Sequence, residues 1–203
     1  MGISRELFEL IRREHGEYGS WAVWNEPRKG DKRLSGGMNE PIFDNVTDEL
    51  LSHLKPQYMF IGYNWSTGSV AELMNFHSVD SHIGKLRYAL RNSPFWGAYL
   101  TDVVKYYSNP DSKKAEEYLA NHPEIEADSI AILRKEISDL GVEQPILIAF
   151  GRRAFKTLNK HLKGEYKIIQ ITHYSHQVER PADVNYKNKM MKKLVAELNC
   201  GEW

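Results

Sequence analysis

Apolar residues in this chain gather in short dense runs, each stopped by a glycine or a polar turn. Tyr58-Met-Phe-Ile61 runs into Gly62, and Ile146-Leu-Ile-Ala-Phe150 runs into Gly151. Residues 98–105 and 166–172 have the same character, and the latter run into His173-Tyr-Ser-His176. Runs of this length without polar alternation predict strands buried on both faces. Residues 20–24 read as a further short strand.

Between these runs the period changes to that of helices. Ser4 is placed to cap a first helix with Leu7, Phe8, Leu10 and Ile11 on one face, ended by Gly16 and Gly19. Residues 47–54 predict a short helix. Residues 80–92 predict a basic amphipathic one, with Lys85, Arg87 and Arg91 between Ile83, Leu86, Tyr88 and Leu90. Residues 113–121 follow. The clearest helix then starts at Pro123 and stops at Gly141, with Ile125, Ile130, Leu133, Ile137 and Leu140 inside. Residues 152–162 and 184–198 complete the set. The stretch from Pro27 to Pro41 is rich in Gly, Pro, Lys and Asn and reads as a loop. Its Arg28, Lys29, Lys32 and Arg33 are either a solvated surface or a phosphate-contacting arm.

Strands alternating with helices predict an α/β fold with a mainly parallel sheet covered on both sides. Right-handed crossovers then bring the carboxyl ends of the strands to one edge, where ligands of such sheets bind. That edge collects Asn64, Ser66, Asp102, Lys105, Gly151, His173 and Ser175. At 203 residues the expectation is one domain over 1–203. Formal net charge is zero, so charge alone gives no argument for nucleic acid. A single cysteine, Cys200, excludes an internal disulfide and a cysteine-ligated cluster. With charge early in the N-terminal segment and no long apolar run, a cytoplasmic protein without a membrane partner is expected.

Four blocks, in order, resemble the uracil-DNA glycosylase superfamily. Gly62-Tyr-Asn-Trp-Ser66 resembles its first motif, most closely the mismatch-specific form Gly-Ile-Asn-Pro-Gly. Tyr99-Leu-Thr-Asp-Val-Val-Lys105 resembles the strand that carries the base-reading residue. Ile146-Leu-Ile-Ala-Phe-Gly151 with Ala154 resembles the strand–glycine–helix block. Thr172-His-Tyr-Ser-His176 resembles the second catalytic motif, His-Pro-Ser-Pro. The resemblance implies a three-layer α/β/α fold around a four-stranded parallel sheet.

It also implies roles. Asn64 falls where an asparagine positions the attacking water, and His173 where a histidine hydrogen-bonds the leaving base. Breaking an N-glycosidic bond leaves negative charge on the base, which a donor in a dry pocket stabilises. An amide orients water without being a strong base, and an aromatic ring stacks on the extruded base. Tyr63, Trp65 and Phe76 are the candidate platforms. Gly62, Ser66, Asp102, Lys105, Gly151 and Ser175 join them as substrate-binding candidates, and Lys105, Arg152 and Arg153 could hold phosphate near Gly151. No metal or cofactor is expected. DNA, with a damaged base or as a single strand, is the expected partner of a monomer.

The chain departs from the pattern in places. Trp65 and Ser66 replace Pro-Gly, Tyr174 replaces a proline, and Asp102 stands where asparagine is common. An amide both donates to uracil O4 and accepts from N3–H, whereas an ionised carboxylate only accepts. Asp102 therefore suits an edge with two donors, such as guanine N1–H and N2–H₂, unless it is protonated or structural. Three functions stay open on the residues: hydrolysis of an N-glycosidic bond in DNA, non-catalytic binding of a nucleotide or single strand, and hydrolysis of a small ester or nucleoside. A Ser–His–Asp triad through Ser66 or Ser175 lacks the Gly-x-Ser-x-Gly elbow.

Overall fold

The predicted periods resolve into alternating elements. In chain order these are α1 (Arg5–His15), β1 (Ser20–Trp21), α2 (Asp48–His53), β2 (Lys55–Asn64), α3 (Ile83–Leu90), β3 (Ala98–Val104), α4 (Ser112–Asn121), α5 (Pro123–Asp139), β4 (Ile146–Phe150), α6 (Gly151–Leu162), β5 (Ile168–Ile171) and α7 (Ala182–Leu198). The structure, a computed structural model, describes residues 2–26, 40–64, 71–78, 82–109, 111–175 and 182–198.

Helix starts follow local chemistry. Ser4 Oγ accepts from the Leu7 amide at 3.2 Å, Thr47 Oγ1 from Leu50 at 3.1 Å, and Asp111 Oδ1 from Lys113 at 2.9 Å. Each such cap is worth about 1 kcal/mol.

The five strands lie in the order β1-β3-β2-β4-β5. The expected four parallel strands are β3, β2, β4 and β5. β1 pairs antiparallel with β3 and adds a fifth strand at one edge. Helices cover both faces, as a buried parallel sheet requires. On one side Met59, Ile61, Tyr63, Tyr99, Val103, Leu147 and Ala149 pack with α1, α2, α4, α5 and α6. On the other, Phe60, Leu100, Ile148, Phe150, Ile169 and Ile171 pack with α3 and α7. Strand alternation thus sorts every side chain at the carboxyl edge to one face or the other.

One expectation is corrected. α3 is not a basic face turned to solvent, because Arg87 is 2% exposed and Lys85 9%. The helix packs against α7, and Lys85 Nζ lies 5.9 Å from the Tyr186 ring centroid. Long basic stems cover apolar surface readily, so their spacing did not mark an outer face. The described helix begins at Ile83, and residues 79–81 lie outside the described residues.

Candidate functional site

The site is built on a missing side chain. Gly62 and Asp102 are register partners in β2 and β3 and project to the face that α3 and α7 cover. A β-carbon on Gly62 would lie 2.0 Å from Asp102 Oδ1 and 3.7 Å from Phe76 Cζ. Only glycine lets the carboxylate lie over β2. Asp102 is 5% exposed, and its carboxyl group is raised to about 6, first by burial and further by Glu136, against the pull of Asn75 and Lys105.

Phe76 arrives on a strained turn. Leu73 and Phe76 take left-handed backbone conformations, with φ of 61° and 66°. Each costs a non-glycine residue about 1–2 kcal/mol. The surrounding bonds hold that strain. The Leu73 amide donates to Gly16 O at 2.7 Å, and Trp24 Nε1 donates to Phe76 O at 3.1 Å. Asn75 Nδ2 donates to Tyr18 O at 2.8 Å and to Asp102 Oδ2 at 3.2 Å. Buried His77 lies between Val23 O, 3.0 Å from Nε2, and Asn75 O, 3.1 Å from Nδ1. The turn therefore presses Phe76 against Gly62 and delivers an amide to Asp102.

The third wall comes from β4 and β5. Gly151 turns from strand to helix at φ 80°, a conformation that favours glycine, and a β-carbon there would meet His173 Cβ at 3.5 Å. His173 is half-buried. Its Nδ1 accepts from the Ser175 amide at 3.1 Å and lies 2.8 Å from Ser175 Oγ. A backbone N–H can only donate, so Nδ1 carries the lone pair and the neutral ring holds its hydrogen on Nε2. Tyr174 packs edge-on to Phe150 at 5.1 Å, on the face that holds Asp102. Burial raises the Tyr174 hydroxyl, and the charge of Asp102 raises it further.

The candidates divide accordingly. Gly62, Phe76 and Asp102 come together, and Gly151, His173 and Ser175 stand at the same sheet edge. Asn64 ends β2 two residues beyond Gly62, and its Nδ2 donates to Asn109 O at 2.6 Å. Trp65, Ser66 and His176 lie outside the described residues, as do Arg28, Lys29, Lys32 and Arg33.

Two expectations are corrected. Tyr63 is no platform beside Gly62, because alternation turns it to the opposite face among α5 and α6 residues, where burial raises its hydroxyl to about 12. Lys105 is no phosphate ligand. It lies three residues past Asp102 and faces α5, fully buried, with Nζ 2.6 Å from Glu136 Oε2 and 2.5 Å from Thr101 Oγ1. Arg153 is paired with Glu116 at 2.7 Å, while Arg152 is exposed at the start of α6.

The sequence gives no role to Asn75 or Glu136, and none to Tyr174 beyond its replacing a proline. Glu136 had a signal, since it shares the inner stripe of α5 with Leu133, Ile137 and Leu140. Asn75 had none beyond its place before Phe76.

The sequence matches the family model of the uracil DNA glycosylase superfamily over residues 41–199, more than half of the chain. No curated protein and no solved structure matches it. Among the described residues, no helix is long and apolar enough to cross a membrane.

Proposed function

The chain belongs to the uracil DNA glycosylase superfamily, and from that membership we propose that it hydrolyses the N-glycosidic bond of a damaged or deaminated base in DNA. The observation that carries this reading is the state of His173. Its Nδ1 accepts from the Ser175 amide, which places the hydrogen of the neutral ring on Nε2, and in the proposed complex Nε2–H donates to the anionic leaving base. In the proposed complex the base, turned out of the helix, stacks on Phe76 and is read at its edge by Asp102. Gly62 admits it by carrying no side chain. The anchored Asn64 amide orients the attacking water, and no group in the site needs to be a strong base, because the sugar is already electron-poor as the bond breaks.

One observation favours a second reading, a module on the same fold that binds a base or single strand without cutting. An Asn64 N–H is held by Asn109 O, as a purely structural amide would be.

Strands carrying uracil, hypoxanthine or xanthine, single and double, separate the two. Alkali-labile breaks that disappear in Asn64→Ala and His173→Ala support excision. Binding that survives both substitutions, with no breaks in the unsubstituted protein, supports the module.

A further inference from the structure

Asp102 does not present two equivalent oxygens. Oδ2 takes the Asn75 N–H at 3.2 Å, so it is fixed as an acceptor. A proton added to the carboxyl group therefore goes to Oδ1. Oδ1 is the oxygen over Gly62, 2.0 Å from where a β-carbon would be, and the Phe76 ring reaches to 3.7 Å of the same point. A planar base lying on Phe76 brings its edge to Oδ1. Among the described residues, no hydrogen bond reaches that oxygen.

We infer that Asp102 selects the base by the group at its exocyclic position. Ionised, Oδ1 accepts from an amino group; protonated, it donates to an oxo group. The neutral acid then matches the donor–acceptor pair of an amide, and the anion matches an edge that offers only donors. Amino-bearing bases are taken at alkaline pH and their deaminated counterparts at acid pH. This inference rests on the base-excision reading above.

The surroundings allow both states. Asn75 and Phe76 face Asp102 from the turn and Tyr174 from the segment after β5, while Lys105, just past β3, and Glu136, on α5, act on it by charge from the other side of the sheet. Burial and Glu136 favour the acid, while the Asn75 bond and Lys105 favour the anion, leaving the balance at about 6. Tyr174 stays neutral throughout this range because its hydroxyl is raised.

The test uses three pairs of otherwise identical strands: cytosine against uracil, adenine against hypoxanthine, and guanine against xanthine. Strand breaks after alkali and binding by fluorescence anisotropy are both followed from pH about 5 to about 8, across the ionisation. The oxo-to-amino preference should fall about tenfold per pH unit above the titration. In D102N it should favour oxo at every pH and lose that slope. Melting of D102N reports whether it is folded, and the slope in the unsubstituted protein tests the inference without it. A slope in binding with no breaks keeps the selector and overturns excision. Breaks or binding with no slope in any pair overturn the selector and leave the excision reading standing.

Discussion

Asp102 Oδ1 occupies the space that a β-carbon at Gly62 would need, with only 2.0 Å between them. The two residues are register partners in neighbouring strands, so neither backbone can move aside without breaking the ladder. Gly62→Ala should therefore cost about 1–3 kcal/mol through overpacking. In an Asp102→Ala background the same substitution should cost much less, because the obstructing oxygen is gone. Urea denaturation of the four proteins in this cycle measures the coupling. Additive costs would show that the close approach is relieved some other way.

Lys105 and Glu136 form a fully buried pair, with Thr101 bonded to both and Tyr99 bonded to Glu136. Removing one partner leaves a charge without compensation in the interior. Lys105→Met or Glu136→Gln should each cost about 3–5 kcal/mol, and replacing both with apolar residues should recover most of it. Lys105→Met should also leave the salt dependence of DNA binding unchanged. A phosphate contact would reduce that slope by about one unit.

Most of the architecture was legible because strands buried on both faces write themselves as apolar runs. β2, β3, β4 and β5 each appear that way, and Pro123 marks the start of α5. Which face each edge residue takes was legible too, but only through the period of two. Counted from Phe60, Gly62 falls inward and Tyr63 falls opposite; counted from Leu100, Asp102 and Lys105 part company. Burial of a lysine depends on its finding Glu136, a long-range partner that no local pattern names. The same holds for Asn75, which bonds Asp102 from a turn where Leu73 and Phe76 adopt left-handed conformations. Neither residue type announces such a conformation in advance.

The state of His173 is open to direct observation. Nitrogen spectra of the ring above its titration should place the hydrogen on Nε2, since Nδ1 accepts from the Ser175 amide. Ser175→Ala removes the hydroxyl and keeps that amide, so the same tautomer should persist. Any excision should then fall only modestly. His173→Ala removes the donor itself, with an expected loss of about 10²–10³-fold. A ring hydrogen found on Nδ1 would leave the proposed leaving group without its donor.

Asp102 also ties stability to pH in a direction opposite to that of a paired surface carboxylate. Its carboxyl group is raised from 3.8 to about 6, so the folded protein holds this proton more tightly than the unfolded chain does. The stabilisation from protonation is complete below the unfolded value and is lost as pH rises through the folded one. A shift of this size corresponds to about 3 kcal/mol. Other carboxylates, such as Asp139 and Glu126, are lowered and act in the opposite sense, so the raw stability curve mixes both. The difference between the unsubstituted protein and D102N isolates Asp102, because an amide does not titrate. Measured by urea denaturation, the advantage of the unsubstituted protein should shrink by about 3 kcal/mol between pH about 4 and about 6, and stay level above that. A difference that is flat across this window would mean that the folded protein holds this proton no more tightly than the unfolded chain, with the Asn75 bond and Lys105 fully offsetting burial.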